Sequence, residues 1–250
     1  MSAGVAPAPA FAEPVAASNY SFLRGASHPA EMVSRAHALG MSGIGLADRN
    51  TVAGTVRAHM AWRELGGPGN GFRLLVGARL VLADGTPDIA AYPLNRRGWG
   101  QLTRLLTLGN RRAQKGQCLL RLDDLLDYCG DMGLIAMAGD ATMLGRLREA
   151  SARLWLAATM PRSGGDARIL AQRMALADET GVPVIASNDA LYAVPEVRPL
   201  HDVMTCIREG RTVQTAGRLL SANAERHLKA PEEMARLFRA CPQAIAATQD

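Results

Sequence analysis

Short apolar runs alternate with amphipathic helical patterns along nearly the whole chain, and this rhythm limits the fold more than any other feature. In "SHPAEMVSRAHALG", Ser27 is the expected N-cap and Pro29 lies in the first turn. Met32, Val33, Ala36 and Leu39 form one apolar stripe and Gly40 is the stop, so a helix is predicted. "GIGLAD", "TVAGTVRAHMAWREL", "GGPGNG", "RLLVGARLVL" and "DIAAYPL" then read as strand, helix, turn, strand and strand. Further on, "GWGQLTRLLTLGNRR" and "LDDLLDYC" read as helices, "GLIAMAG" as a strand, "TMLGRLREA" as a helix and "RLWLAAT" as a strand. "DARILAQRMALADETG" and "VPVIASND" close the series as helix and strand. Such alternation implies a mostly parallel sheet with crossover helices, and about seven strands favour an α/β barrel.

Size and charge narrow the possibilities. With 250 residues, 48% of them hydrophobic, the chain can bury a full core as one large α/β domain. The net charge of +5 permits a nucleic-acid neighbour but does not argue for one. Cys118, Cys129, Cys206 and Cys241 are far apart and form no C-x-x-C, which points away from a zinc knuckle or disulfide framework and fits a reducing cytoplasm. Residues 1–10 are rich in Ala and Pro and are expected to be disordered. They lack the basic flank of a signal peptide. No segment nears the roughly 20 apolar residues needed to cross a bilayer.

In an α/β barrel the site lies just past the C-terminal ends of the strands. Those positions are Ser18 to Arg24, Asp48 and Arg49, Arg79, Asn110, Asp140, and Asn188 to Tyr192. Five histidines, His28, His37, His59, His201 and His227, are scattered without H-x-H or H-x3-H spacing, so packing or surface roles are expected, with His201 the strongest exception. Asp48 is expected to cap the turn into "NTVAG". "GGPGNG" lacks the order of a phosphate-cradling loop and reads as a plain connection. Arg97, Arg104, Arg111, Arg112 and Lys115 partly share a helical face, which is expected to be solvated.

Six stretches in this order, "SNYSFLRGASHP", "GIGLADRNTVAG", "LLVGARL", "ASNDALY", "LHDVMTCIREG" and "SANAERHLKAPEEMARLF", resemble the polymerase and histidinol phosphatase (PHP) domain of bacterial C-family DNA polymerases, in particular the error-prone, SOS-associated branch. The resemblance implies a distorted (β/α)7 barrel over residues 11–215. Residues 216–250 would form a helical segment leading toward a polymerase palm domain. Active members hold a cluster of up to three metal ions that can carry phosphoester hydrolysis. Carried over residue by residue, the ligand positions fall on Val15, Ala17, Arg24, Arg49, Arg79, Asn110, Asp140, Asp189 and Leu191. Valine, alanine, leucine and arginine offer a metal no lone pair. Of the nine, Asp189 matches its ligand type, with Asp140 a possible substitute.

The resemblance therefore implies a barrel without catalytic residues, metal or cofactor, acting as a scaffold in a DNA-directed DNA polymerase (a nucleotidyltransferase). The alternative is a residual metal-dependent phosphoesterase or 3'–5' proofreading exonuclease. By the same resemblance the parent serves DNA repair and replication in the SOS response, by translesion synthesis after DNA damage. Its partners would be the remaining polymerase domains, a sliding clamp and SOS-cassette proteins, with DNA contacted only weakly or indirectly and no membrane involved. In that family the first strand carries a leucine where this chain has Pro14, so a short or frayed first strand is expected.

Overall fold

The computed structural model describes residues 9–250, so the expectation of disorder for residues 1–10 falls almost entirely outside the described residues. The chain runs β1 (Ala12–Ala16), α1 (Pro29–Ala38), β2 (Gly43–Arg49), α2 (Thr55–Glu64), β3 (Arg73–Leu80) and β4 (Ile89–Pro93). It continues through α3 (Arg96–Arg111), α4 (Leu122–Tyr128), β5 (Met132–Ala136), α5 (Ala141–Ala150), β6 (Arg153–Ala158), α6 (Asp166–Thr180) and β7 (Val184–Ala186). Four helices follow: α7 (Arg198–Glu209), α8 (Val213–Ala216), α9 (Pro231–Leu237) and α10 (Pro242–Ala246).

The strands pair in chain order from β1 to β7. All neighbours are parallel except at β4, which runs antiparallel to both β3 and β5. Past β7, Ala190 bridges back to β1: the Ala17 amide donates to the Ala190 carbonyl at 2.8 Å and the Ala190 amide to the Val15 carbonyl at 3.2 Å. The sheet is thereby a nearly closed barrel, the distorted (β/α)7 form expected from the sequence.

Strand alternation separates two environments. Val15, Ala47, Ala90, Tyr92, Ile135, Ala157 and Ile185 pack together inside the barrel. The intervening positions face the helices. Ala16, Ile44 and Leu46 meet α1, α2, α9 and α10, and Ala78, Leu80, Ala91 and Leu134 meet α3, α4 and α5. Met234 of α9, and Ala244 and Ile245 of α10, belong to the same buried cluster as Met32 and Ile44, so the C-terminal helices are packed on the barrel wall.

β1 keeps its full five residues, and Pro14 is accommodated by a register irregularity between Glu13 and Ala16. That is how a residue without an amide hydrogen fits a paired strand. The Pro14 carbonyl accepts from the buried Tyr92 hydroxyl across the barrel. The expected cap of α1 is also corrected. His28 occupies the N-cap position, with Glu31 accepting from its amide at 2.9 Å, while Ser27 instead accepts from the Ala193 amide at 3.0 Å. Ser27 therefore ties the β1 loop to the segment after β7.

Candidate functional site

The inward register of each strand continues to the rim. Ala17 follows Val15 in phase, Arg49 follows Ala47, and Arg79 follows Gly77, so all three point over the mouth of the barrel. With Arg24 and Leu191 they line a basin of ≈210 Å³. Five of the nine positions singled out by resemblance thus converge there, and Asp189 joins them through Arg79. Val15 lies deeper, in the barrel interior. Asn110 and Asp140 are not brought to the basin. Asn110 sits in the last turns of α3 beside an adjoining groove, and Asp140 caps α5 by accepting from the Met143 amide at 2.8 Å.

Asp189 is nine-tenths buried and adopts a positive φ of 48°, a conformation aspartate tolerates better than most residues. Its carboxylate accepts from Arg79 Nη1 at 2.7 Å and from Arg226, which also donates twice to the Asp189 carbonyl, at 2.8 and 3.0 Å. Burial alone would raise its pKa, but the charges of Arg226 and Arg79 outweigh it and hold the carboxyl below the ordinary aspartate value. Arg79 spans two acids, since its Nε donates to Asp88 at 2.8 Å. Asp88 reaches the rim because β4 is antiparallel, which turns its N-terminal end toward the C-terminal ends of the other strands. No periodicity in the sequence signals that reversal. Arg226 was equally invisible, although it lies in the "ERHLK" motif. Its role depends on the Leu191 amide donating to the Arg226 carbonyl at 2.8 Å, which docks that segment beside β7.

Asp48 does not cap its own turn. It accepts from the Ser18 amide, the Ser18 hydroxyl and the Ser21 hydroxyl, each at 2.7 Å, because its buried carboxylate faces the β1 loop. The stretch "SNYSFLRG" is therefore shaped by a carboxylate from the next strand. Gly25 is required in this loop because a Cβ there would overlap the Ser18 carbonyl.

Deeper in the barrel, Glu13 is fully buried and accepts from the Ser187 hydroxyl, from the Asn188 amide at 2.8 Å and from the Val15 amide at 3.1 Å. Burial dominates these bonds and pushes its pKa up to about 7. His201 lines the basin, where burial and then the Arg226 charge push its pKa down to about 4. Of the other histidines, His37 packs edge-on against Phe72 and His59 lies against Trp62. The expected solvated face of α3 is partly neutralised by pairs from Arg97 to Asp131 and from Arg112 to Asp124.

The donor set does not fit a metal cluster. Among the described residues no three His, Cys, Asp or Glu side chains come close enough together to hold an ion. The carboxylates nearest the mouth are already engaged, Asp189 and Asp88 by guanidiniums and Asp48 by two serines. Nor is any described helix long and apolar enough to cross a membrane.

Barrel and rim together define a nearly closed seven-stranded α/β barrel domain whose mouth is lined by arginine. The chain belongs to the PHP domain family, whose model matches residues 16–175. It is 52% identical over 246 residues to an error-prone DNA polymerase of Brucella abortus biovar 1 (strain 9-941), covering 95% of this chain and 23% of that protein. An error-prone DNA polymerase 1 of Rhizobium meliloti (strain 1021) is 49% identical over 248 residues, covering 96% of this chain and 22% of its own. The chain thus spans less than a quarter of these relatives, and the resemblance read from the six motifs is borne out. Among solved structures, a Bifidobacterium adolescentis (ATCC 15703) protein assigned as a metal-dependent phosphoesterase superposes with a TM-score of 0.50 at 15% identity, over 73% of this chain and 88% of that one. That likeness concerns the fold alone.

Proposed function

We propose that this chain is a metal-site-degenerate PHP barrel of a longer error-prone DNA polymerase, in which it performs no chemistry and supports the polymerase domains as a scaffold. Residues 11–215 form the barrel unit in this reading, and residues 216–250, packed on its wall, lead toward the palm. The parent would be a cytoplasmic nucleotidyltransferase acting in SOS-induced translesion synthesis, with a sliding clamp and SOS-cassette proteins as partners of the whole.

The observation that carries the proposal is the rim itself. Arg79 and Asp189 stand at positions that in the family resemblance hold metal, yet they pair with each other and Asp189 is bridged on to Arg226, and a guanidinium cannot serve as a ligand. The test is elemental analysis of protein purified without a metal-binding tag, together with a phosphoester hydrolysis assay. Substoichiometric zinc and manganese and no hydrolysis are expected. One or more tightly held ions per chain, with hydrolysis abolished in a folded Asp189→Ala variant, would overturn the scaffold reading in favour of a reduced-metal phosphoesterase.

A further inference from the structure

The basin has more cationic groups than its own acids neutralise. Arg24, Arg49, Arg79, Arg208 and Arg226 line it, against the carboxylates of Asp88, Asp189 and, at the edge, Glu209, a surplus of two positive charges. Arg79 and Arg226 are satisfied by Asp189, and Arg208 by Glu209 and the Leu23 carbonyl at 2.7 Å. Arg24 and Arg49 are different. Among the described residues neither forms an ion pair, although both are partly buried. Burial and then the facing charges of Arg49 and Arg208 push the pKa of Arg24 down. Arg49 is likewise lowered by burial, with Asp88 opposing and Arg79 and Arg208 adding to the effect. The side chains of His201 and Thr205, each more than nine-tenths buried, form part of the wall of the same basin, with Asp202 4.0 Å from Nδ1 of His201.

We propose that this basin binds a phosphoryl oxyanion directly on Arg24, Arg49 and Arg208, with no metal ion between protein and ligand. The three arginines line both the basin and the adjoining groove from three different segments, and several planar donor forks suit a tetrahedral group with several equivalent oxygens better than a planar carboxylate. Size limits the ligand: ≈210 Å³ holds about seven waters at roughly 30 Å³ each, below the roughly 300 to 1,000 Å³ of pockets that enclose whole small molecules. Only the phosphoryl group fits. Anything attached to it lies in the adjoining groove of ≈880 Å³, which shares Arg24, Arg49 and Arg208 and carries Tyr20 and the 78% exposed Phe22 as stacking surfaces. The anion is thus either free phosphate or the terminal phosphate of a nucleotide strand. The inference is independent of the scaffold reading, since binding requires no hydrolysis and no polymerase domain.

The test is calorimetric titration of the chain with orthophosphate at constant ionic strength, with chloride as the reference anion. Saturable binding of one phosphate per chain is expected, weakened at least about tenfold in Arg24→Gln and in Arg49→Gln and unchanged in Arg57→Gln, an exposed arginine of α2. Neither Arg24 nor Arg49 holds a structural pair, so both variants are expected to fold, and melting curves identify either one that does not, leaving the other to decide. In a second arm, a short single strand with a 5'-terminal phosphate and the same strand without it compete against orthophosphate. Competition by the phosphorylated strand alone assigns the site to a strand end, and no competition by either assigns it to free phosphate. Absence of saturable phosphate binding, or an equal loss in Arg57→Gln, overturns the proposal.

Discussion

Arg79 and Asp189 are 110 residues apart in the chain and 2.7 Å apart in space. Their pairing joins β3 to the segment after β7, and Arg226 on the other side of Asp189 adds a third strand of chain to the same point. Where the family resemblance implies metal ions drawing loops together, here two guanidiniums share one carboxylate.

Truncating this set is expected to be costly. Side-chain exposures of 19% and 12% make the Arg79 to Asp189 pair largely buried, and removing one partner of such a pair typically costs about 3 to 5 kcal/mol. Arg79→Ala should lower the urea midpoint accordingly. Arg49→Ala, which breaks no ion pair, should change stability by less than about 0.5 kcal/mol. Equal losses in the two variants would contradict the assignment.

Arg79→Lys should resemble Arg79→Ala more than wild type. Arg79 contacts Asp88 through Nε and Asp189 through Nη1, and a single ammonium cannot reproduce that fork. Denaturant unfolding of the three proteins side by side measures the difference.

Glu13 makes stability depend on pH. Its folded pKa of about 7 lies above the ordinary 4.5, so its contribution is fully present below about 4.5 and is lost as pH rises to about 7. At 1.36 kcal/mol per unit the change is about 3 kcal/mol. The melting temperature is expected to fall between pH 5 and pH 8, and Glu13→Gln should flatten that slope. Asp189 acts in the opposite sense and in another range, because its depressed pKa gives stability that is present above about 4 and lost as pH falls through the folded value.

Gly25→Ala should destabilise by about 1 to 3 kcal/mol, because the added methyl collides with the Ser18 carbonyl in the loop that Asp48 holds. Melting curves give the cost. Phosphate titration then reports whether Arg24, the preceding residue, has been displaced.

Local pattern was enough for the order of strands and helices from α1 to β7, because apolar alternation and helical stripes are properties of neighbouring residues, while β1 was expected only from the resemblance. The rim positions of Arg49 and Arg79 were equally legible as the C-terminal ends of their strands, whereas the inward phase of Val15 and Ala17 was not, because β1 carries a register irregularity between Glu13 and Ala16. What the sequence by itself determined, then, is a seven-stranded α/β barrel with arginines at its mouth. Only the tertiary structure decided how those arginines are used. Asp88 meets Arg79 because β4 is reversed, and Arg226 meets Asp189 because the "ERHLK" segment docks beside β7. Asp48 turns from its own turn to Ser18 and Ser21, while Arg24 and Arg49 are left without acids. Charge pairing depends on distances of a few ångströms between segments that chain closure brings together, and no spacing along a single segment encodes them.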